Sequence, residues 1–98
     1  TEIQNIEKPQ VYGRSWFVYI VRCADHSLYT GVTTDIERRL NEHNNSRKLA
    51  AAYTRSRRPV TLMYKERVSS RSIALKREYE IKQMSSRSKE LLIKDNKI

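Results

Sequence analysis

The sequence predicts a mixed α/β (α+β) domain, in which a small three-stranded antiparallel sheet is flanked by helices in the order β-β-α-α-β-α-α. Two runs rich in β-branched and aromatic residues, 16–23 and 28–32, surround a four-residue polar link, which is typical of a β-hairpin. Helix-forming segments lie on both sides of a third apolar run at residues 60–64. A chain of 98 residues holds one domain with a modest core.

The segments on either side of the hairpin are interpreted as an arm and a capped helix. Residues 1–13 contain one proline and one glycine without clear periodicity, and we expect a flexible arm ahead of a single domain at 14–98. After the hairpin, Thr34 and Glu37 have the spacing of a capping box, whose side chains satisfy the first free N–H groups of a helix.

The middle of the chain predicts a short helix, a basic loop and the third strand. Residues 48–53 contain three consecutive alanines, which favour a helix. A loop with three arginines follows, and Pro59 excludes a helix running through it. The third strand is then expected at residues 60–64.

Two further helices are predicted at the end of the chain. A long one begins at Ser70 or Ser72, either of which can act as N-cap, and runs to about Met84. The serine pair at 85–86 interrupts the pattern, and a short helix is expected at 88–93.

Charge and composition narrow the class of protein. The net charge of +9 favours a polyanionic partner, and nucleic acid is the leading class, with ribosomal and membrane surfaces as alternatives. The longest apolar run, residues 16–21, is far shorter than the ~20 residues that span a bilayer. The single cysteine, with only two histidines, forms neither an internal disulfide nor a four-ligand zinc site. We expect a cytoplasmic protein with no membrane association and no small-molecule cofactor.

Arg39 and His43 are the first candidates for a functional site. They stand four residues apart, so they share one face of the predicted helix, next to the stripe formed by Ile36 and Leu40. The guanidinium fork of Arg39 is suited to a phosphate and to charge developing on it. The alternative is a solvated arginine or a surface ion pair, the role that we assign to Arg38.

Tyr19 and Tyr29, one on each strand of the hairpin, are the next candidates. Most strand tyrosines are amphipathic core residues, and spacing alone does not exclude that role. Gly31 draws attention to them, because glycine within a strand marks a bulge or a close approach, for example by a scissile phosphate. A phenol has a pKa near ~10, so a tyrosine acting as a base would need positive charge nearby, from Arg39 or a bound cation.

Glu78 is the candidate metal ligand. Its helical neighbours are apolar, whereas those of Glu80 are charged and polar, so only Glu78 emerges from a core-facing stripe. A carboxylate there is costly unless it binds metal or pairs with an arginine or lysine, and both explanations stay open. A single carboxylate with waters and phosphate oxygens suits Mg²⁺.

These residues resemble the motifs of the GIY-YIG nuclease superfamily, specifically its small stand-alone bacterial members. The first motif corresponds to residues 17–19, the second to residues 29–31, and Arg39 and His43 fall at the positions of the catalytic arginine and a frequent histidine. Residues 53–60 and 74–82 resemble further signatures, and the likeness covers about residues 16–93. The chain departs from the pattern at Phe17, where the first motif has glycine, and at 50–52, where small members often have glycine and lysine.

The resemblance implies a GIY-YIG fold and a metal-dependent endonuclease acting on DNA, in repair or processing. Tyr19 and Tyr29 would activate or orient water, Arg39 would stabilise the phosphate, and His43 would contact phosphate or tune Tyr19. Glu78 would hold one Mg²⁺ or Mn²⁺, bound weakly without substrate. Basic residues would then follow the nucleic-acid backbone, namely Arg55, Arg57, Arg58, Lys82 and Arg87. Two alternatives remain, a catalytically inactive nucleic-acid-binding module and an RNA-directed nuclease.

Overall fold

The computed structural model describes residues 15–96 and confirms the predicted fold class and element order. The seven elements are β1 (Trp16–Arg22), β2 (Leu28–Thr33), α1 (Ile36–Asn45), α2 (Ala52–Arg55), β3 (Thr61–Val68), α3 (Arg71–Lys82) and α4 (Ser86–Asp95). The predicted N-terminal arm lies outside the described residues. Of the helices between residues 15 and 96, none is long and apolar enough to cross a bilayer.

The sheet has the strand order β2-β1-β3, with both pairings antiparallel, so β1 is central and β2 is an edge. Both faces of β1 are covered. Val18 and Ile20 pack with residues of α3 and α4 on one face, whereas Tyr19 and Val21 lie in a second cluster with residues of α1 on the other. The alternation of side chains along β1 therefore sends Tyr19 toward α1, while α3 packs on the opposite face.

The first helix begins differently from the prediction. The prediction of a capping box formed by Thr34 and Glu37 is wrong, because Asp35 is the N-cap and its side chain accepts the Arg38 backbone N–H at 3.0 Å. The hydroxyl of Thr33 accepts the backbone N–H of Asp35 at 3.1 Å. This bond orders the backbone between β2 and α1, and the helix starts one residue later than the capping box implied.

The second helix is shifted along the chain. It occupies Ala52–Arg55 instead of the predicted 48–53. The backbone N–H of Leu49 donates to the Ser46 hydroxyl at 2.9 Å, and the Leu49 carbonyl accepts a hydrogen bond from Arg39 at 2.6 Å. These contacts hold a turn where alanine propensity favoured a helix, since tertiary contacts override a propensity of a few tenths of a kcal/mol per residue.

The remaining elements are longer than predicted or agree with the prediction. The third strand extends to Val68, because β1 pairs with it along its whole length and Trp16 lies opposite Val68. Ser70 is confirmed as the N-cap of α3, where it accepts the N–H of Ile73 at 3.2 Å. The last helix begins earlier than the predicted 88–93, because Ser85 acts as its N-cap.

Candidate active site

A buried chain of hydrogen bonds joins Tyr19, His43 and Thr54, which come from β1, α1 and α2. The Tyr19 Oη lies 2.7 Å from the His43 Nε2, and the His43 Nδ1 lies 2.7 Å from the Thr54 Oγ1. The Thr54 hydroxyl also lies 3.2 Å from the carbonyl oxygen of Ala51, to which it donates. Tyr19 is 2% exposed, and neither His43 nor Thr54 is exposed at all. Because these three residues are buried, water does not compete for the hydrogen bonds between them.

Gly31 makes room for the phenol of Tyr19. The two residues are partners in the register of β1 and β2, and the Tyr19 ring lies over the glycine. A Cβ at Gly31 would lie 2.5 Å from the Tyr19 Oη and 2.7 Å from its Cζ. The close approach at Gly31 is therefore made by an aromatic ring of this chain, and not by the phosphate that the sequence suggested as an example.

Tyr29 extends the cluster toward the edge of the sheet. Its ring meets that of His43 edge to face, with 5.5 Å between centroids, and stacks on Tyr53 at 5.9 Å with an angle of 21°. The guanidinium of Arg57 lies 3.9 Å from the Tyr53 centroid on this exposed side. Offset stacking and edge contacts are favourable ring arrangements, so they restrict where Tyr29 can place its hydroxyl.

Arg39 is anchored on one side of the site. Its Nη1 donates to the Glu42 Oε1 at 2.8 Å and to the Leu49 carbonyl at 2.6 Å. Glu42 also accepts a 3.3 Å ion pair from Arg38, which is more exposed than Arg39. The guanidinium of Arg39 is close enough to Tyr19 for its positive charge to lower the pKa of the phenol.

The protonation states of Tyr19 and His43 follow from burial. Burial raises the pKa of Tyr19 to about 12, and the opposing effect of Arg39 is smaller. The sequence predicted that nearby positive charge would lower the pKa of the tyrosine. Arg39 does lower it, but burial raises the pKa by more. Burial, with help from the charge of Arg39, lowers the pKa of His43 to about 4. At neutral pH the phenol is protonated and the imidazole is uncharged.

Glu78 and Lys82 reach the site from α3. The side chain of Glu78 is 19% exposed, whereas that of Glu80 is 61% exposed, which is the contrast that their helical neighbours predicted. The Lys82 Nζ lies 3.3 Å from the Glu78 Oε2 and 5.9 Å from the centroid of the Tyr29 ring. Glu78 is also near enough to contribute to the raised pKa of Tyr19.

The donor set at Glu78 fits a hydrated divalent cation. Among residues 15–96, no three His, Cys, Asp or Glu side chains are grouped as metal ligands. One partly buried carboxylate therefore suits Mg²⁺ or Mn²⁺ that takes its other ligands from water and substrate, and does not suit an all-protein cage. The ion pair with Lys82 shows that the alternative explanation of Glu78, internal pairing, applies to the protein without substrate.

The predicted nucleic-acid-binding residues divide into two groups. The three loop arginines donate to backbone carbonyls, Arg55 to that of Ala50, Arg57 to that of Tyr53, and Arg58 to those of Arg55 and Ser46. These bonds stabilise the loop around α2. Lys82 lies near Tyr29 and Glu78, and Arg87 is exposed on the first turn of α4.

Comparison with known proteins identifies this arrangement. A family model described as the GIY-YIG catalytic domain matches residues 15–91. The chain belongs to the GIY-YIG family. Its membership places the chain in a nuclease superfamily, and the motif residues Tyr19, Tyr29, Arg39 and Glu78 lie within the matched range.

The GIY-YIG domain is similar to several small proteins. The UPF0213 protein of Desulfotalea psychrophila is 57% identical over 89 residues, with 91% of this chain and 80% of the relative covered. A solution structure of a UPF0213 protein from Bacillus halodurans has 41% identity and a TM-score of 0.53, covering 82% of this chain and 83% of that one. A solution structure of a protein from E. faecalis has 40% identity and a TM-score of 0.57, covering 83% and 84%.

Two residues of this GIY-YIG site were not predicted. Glu42 stands three residues after Arg39, a spacing that favours an ion pair on a helix and could have indicated it. Thr54 follows Tyr53 in a segment that the resemblance singled out, but no sequence pattern indicates that its hydroxyl meets His43. That contact depends on how α2 packs against α1.

The lowered pKa of His43 predicts a dependence of stability on pH. Between pH 6.5 and about 4 the unfolded chain binds a proton at this histidine and the folded chain does not. The free energy of unfolding should therefore fall by about 3 kcal/mol from this group as pH drops through that window. Denaturant unfolding at several pH values should show this slope in the wild type and lose it in His43→Gln. The exposed His26, replaced by Asn, is the control; an unchanged slope in His43→Gln would contradict the prediction.

Proposed function

We propose that the protein is a metal-dependent endonuclease that hydrolyses phosphodiester bonds in DNA. The observation that supports this best is the meeting of four kinds of group at Tyr19, whose hydroxyl is hydrogen-bonded to His43 and whose pKa responds to Arg39 and Glu78. They are a buried phenol, an uncharged imidazole, an anchored guanidinium and a partly buried carboxylate. Phosphodiester hydrolysis uses each of them: a proton acceptor, a proton relay, a stabiliser of charge on phosphate and a ligand for a cation.

The proton of the attacking water moves through Tyr19 to His43. A free tyrosinate is not available at neutral pH, because the pKa of Tyr19 is raised to about 12. The phenol instead gives its proton to the His43 Nε2, 2.7 Å away, as its oxygen takes a proton from the water. The O–H bond of the water breaks as its oxygen bonds to phosphorus, and His43 ends the step as an imidazolium. The negative charge of the bound phosphate favours that cation and offsets the burial that disfavours it.

Arg39 stabilises the negative charge that develops on the phosphate oxygens. Its anchors, Glu42 and the Leu49 carbonyl, hold the guanidinium in place before substrate arrives, so little reorganisation is needed during the reaction. Tyr29, fixed by its ring contacts with His43 and Tyr53, orients the water.

Glu78 would hold one Mg²⁺ or Mn²⁺ on the leaving-group side. The ion, when bound, offsets negative charge on the departing oxygen. Lys82 must release the carboxylate for this to happen, and its ammonium then becomes free to contact a phosphate. With a single protein ligand, metal affinity is expected to be weak until substrate supplies further oxygens.

Net charge supports a nucleic-acid substrate. The chain carries +9, and Lys82 at the site and Arg87 on α4 are candidates for phosphate contacts, together with Arg55, Arg57 and Arg58. Each phosphate neutralised should steepen the dependence of log affinity on log salt by ~0.9 for duplex DNA. RNA as the substrate is an outcome that the experiment below distinguishes.

Replacing Glu78 by Gln should reduce the cleavage rate by about 10²-fold or more, because metal coordination contributes several kcal/mol and ~1.4 kcal/mol corresponds to tenfold. The assay follows supercoiled plasmid, single-stranded DNA and RNA with Mg²⁺ or Mn²⁺. Glu80→Gln is the matched control, since Glu80 lies on the same helix but is exposed and pairs with Arg77.

The outcomes separate the candidate functions. Cleavage of DNA by the wild type and Glu80→Gln, but not by Glu78→Gln, supports the proposal. Equal cleavage by all three proteins would mean that Glu78 is not the ligand. Binding without cleavage of any substrate would indicate a nucleic-acid-binding module, and cleavage of RNA alone would indicate an RNA-directed nuclease.

A further inference from the structure

We infer that Thr54 is a positioning residue that sets the tautomer of His43 and so aims the proton of Tyr19 at that histidine. The inference about the tautomer stands on the geometry of the buried chain, and its consequence for catalysis rests on the proposed nuclease function. Thr54 is fully buried, so it acts through His43 and does not contact a substrate.

The donors and acceptors around His43 determine which of its two ring nitrogens carries the proton. The Thr54 hydroxyl has one proton, and the Ala51 carbonyl, 3.2 Å away, can only accept it. The Thr54 oxygen is then an acceptor for the His43 Nδ1 at 2.7 Å, which must carry a hydrogen. A neutral imidazole has one N–H, so the Nε2 is bare and accepts the proton of Tyr19 at 2.7 Å.

The opposite tautomer satisfies fewer of these buried groups. With a hydrogen on the Nε2, His43 would donate to the Tyr19 oxygen, and the phenol's own hydrogen would lose its acceptor. The Thr54 hydroxyl would have to turn toward the Nδ1 and give up its bond to Ala51. Buried donors in folded proteins are satisfied in the great majority of cases, so the first arrangement is favoured.

The tautomer decides what the phenol oxygen can do. When Tyr19 donates to His43, a lone pair of its oxygen remains available to a water molecule. When His43 donates to Tyr19, that oxygen already accepts a hydrogen bond and has no route for its own proton. Orientation of a general base by a third group is a recurrent requirement of such relays, and here the third group is a threonine hydroxyl.

The direct test reads the ring nitrogens of His43 by long-range ¹H–¹⁵N correlation on the ¹⁵N-labelled full chain. The chain has two histidines, and His26→Asn removes the other signal. In this background at neutral pH we expect a protonated Nδ1 and an unprotonated Nε2. Thr54→Val, which has the shape of threonine without the hydroxyl, should give a mixture of tautomers or the reverse form, and Thr54→Ser should restore the original.

The second readout is cleavage kinetics. Thr54→Val should lower kcat by about 10–100-fold, by analogy with the loss of a group that orients a metal-bound histidine, while KM stays within about twofold. Thr54→Ser should recover most of kcat. Thermal unfolding of both variants shows whether the fold is retained at the assay temperature, and the nitrogen shifts are read only from folded protein.

Three results would overturn the inference: a protonated Nε2 in the parent protein, an unchanged tautomer in folded Thr54→Val, or equal kcat in Thr54→Val and the wild type. Failure of the nuclease proposal is distinguishable from these. If the wild type cleaves nothing but its His43 shows the expected tautomer that Thr54→Val disturbs, then the tautomer assignment holds and the endonuclease function is wrong.

Discussion

Replacement of Tyr19 by phenylalanine is expected to reduce the rate of phosphodiester cleavage by about 10²–10⁴-fold, the range contributed by a positioned acid–base group. The substitution removes only the hydroxyl that transfers a proton to His43, and leaves the ring over Gly31. Substrate binding should change little, because Arg39 and the basic residues are untouched. Single-turnover cleavage at saturating enzyme measures the loss, and a binding titration without metal checks the affinity.

Tyr64→Phe is the matched control for this prediction. Tyr64 is a buried tyrosine on β3, 5% exposed, and its hydroxyl donates to Glu66. Tyr19→Phe leaves the buried His43 Nε2 without its donor and should cost about 1–3 kcal/mol of stability. Tyr64→Phe should cost less, because Glu66 is partly exposed and keeps its hydrogen bond from Arg77. Only Tyr19→Phe should lose cleavage. Cleavage by Tyr19→Phe within a few-fold of wild type, or an equal loss in Tyr64→Phe, would remove Tyr19 from the proton relay.

Substitution of Gly31 by alanine is expected to damage both stability and cleavage. The added Cβ would lie 2.5 Å from the Tyr19 Oη and 2.7 Å from its Cζ, so the ring must move. Tyr19 is 2% exposed and hydrogen-bonded to His43, which leaves it little space. Overpacking of this kind costs about 1–3 kcal/mol, and displacing a reacting group by about 1 Å costs on the order of 10²-fold in rate. Denaturant unfolding and the cleavage assay measure the two effects.

A double-mutant cycle shows whether the ring is the cause. In a Tyr19→Val background the space over Gly31 is open, so adding Gly31→Ala should cost little further stability. The backbone at Gly31 does not have a positive φ, so alanine is not excluded there by conformation alone. A Gly31→Ala protein that folds and cleaves like wild type, or an equal cost in both backgrounds, would contradict the contact with Tyr19.

Structural elements that depend mainly on residues close together in the sequence were predicted well. The hairpin, the third strand and the cap at Ser70 follow from strand-forming runs and from a serine that accepts a helix N–H group. The different burial of Glu78 and Glu80 also follows from helical periodicity, because residues three and four apart share a face. These features depend on residues that are close together in the sequence, so the sequence alone indicates them.

Features that depend on packing between distant segments were not predictable. The helix at 48–53 was expected from alanine propensity, but Arg39 holds the Leu49 carbonyl and the helix begins at Ala52. The cap at Asp35 is an exception, because its hydrogen bonds join residues only two and three positions apart, and the competing pattern of Thr34 and Glu37 led to the wrong cap. The partner of Gly31 is a ring on the next strand, a contact that sequence spacing does not indicate.

The order of residues in this chain was enough to predict the fold class, the family motifs and the acid on the core-facing stripe of α3. The tertiary structure decided the protonation of the phenol and the imidazole, since burial outweighs the opposing effect of Arg39 at Tyr19 and acts in the same direction as the charge of Arg39 at His43. It also decided that Thr54 contacts His43 and that Glu42 anchors Arg39. The physical reason is that desolvation and hydrogen bonding depend on which segments exclude water together, and these segments are up to 63 residues apart, from Tyr19 to Lys82.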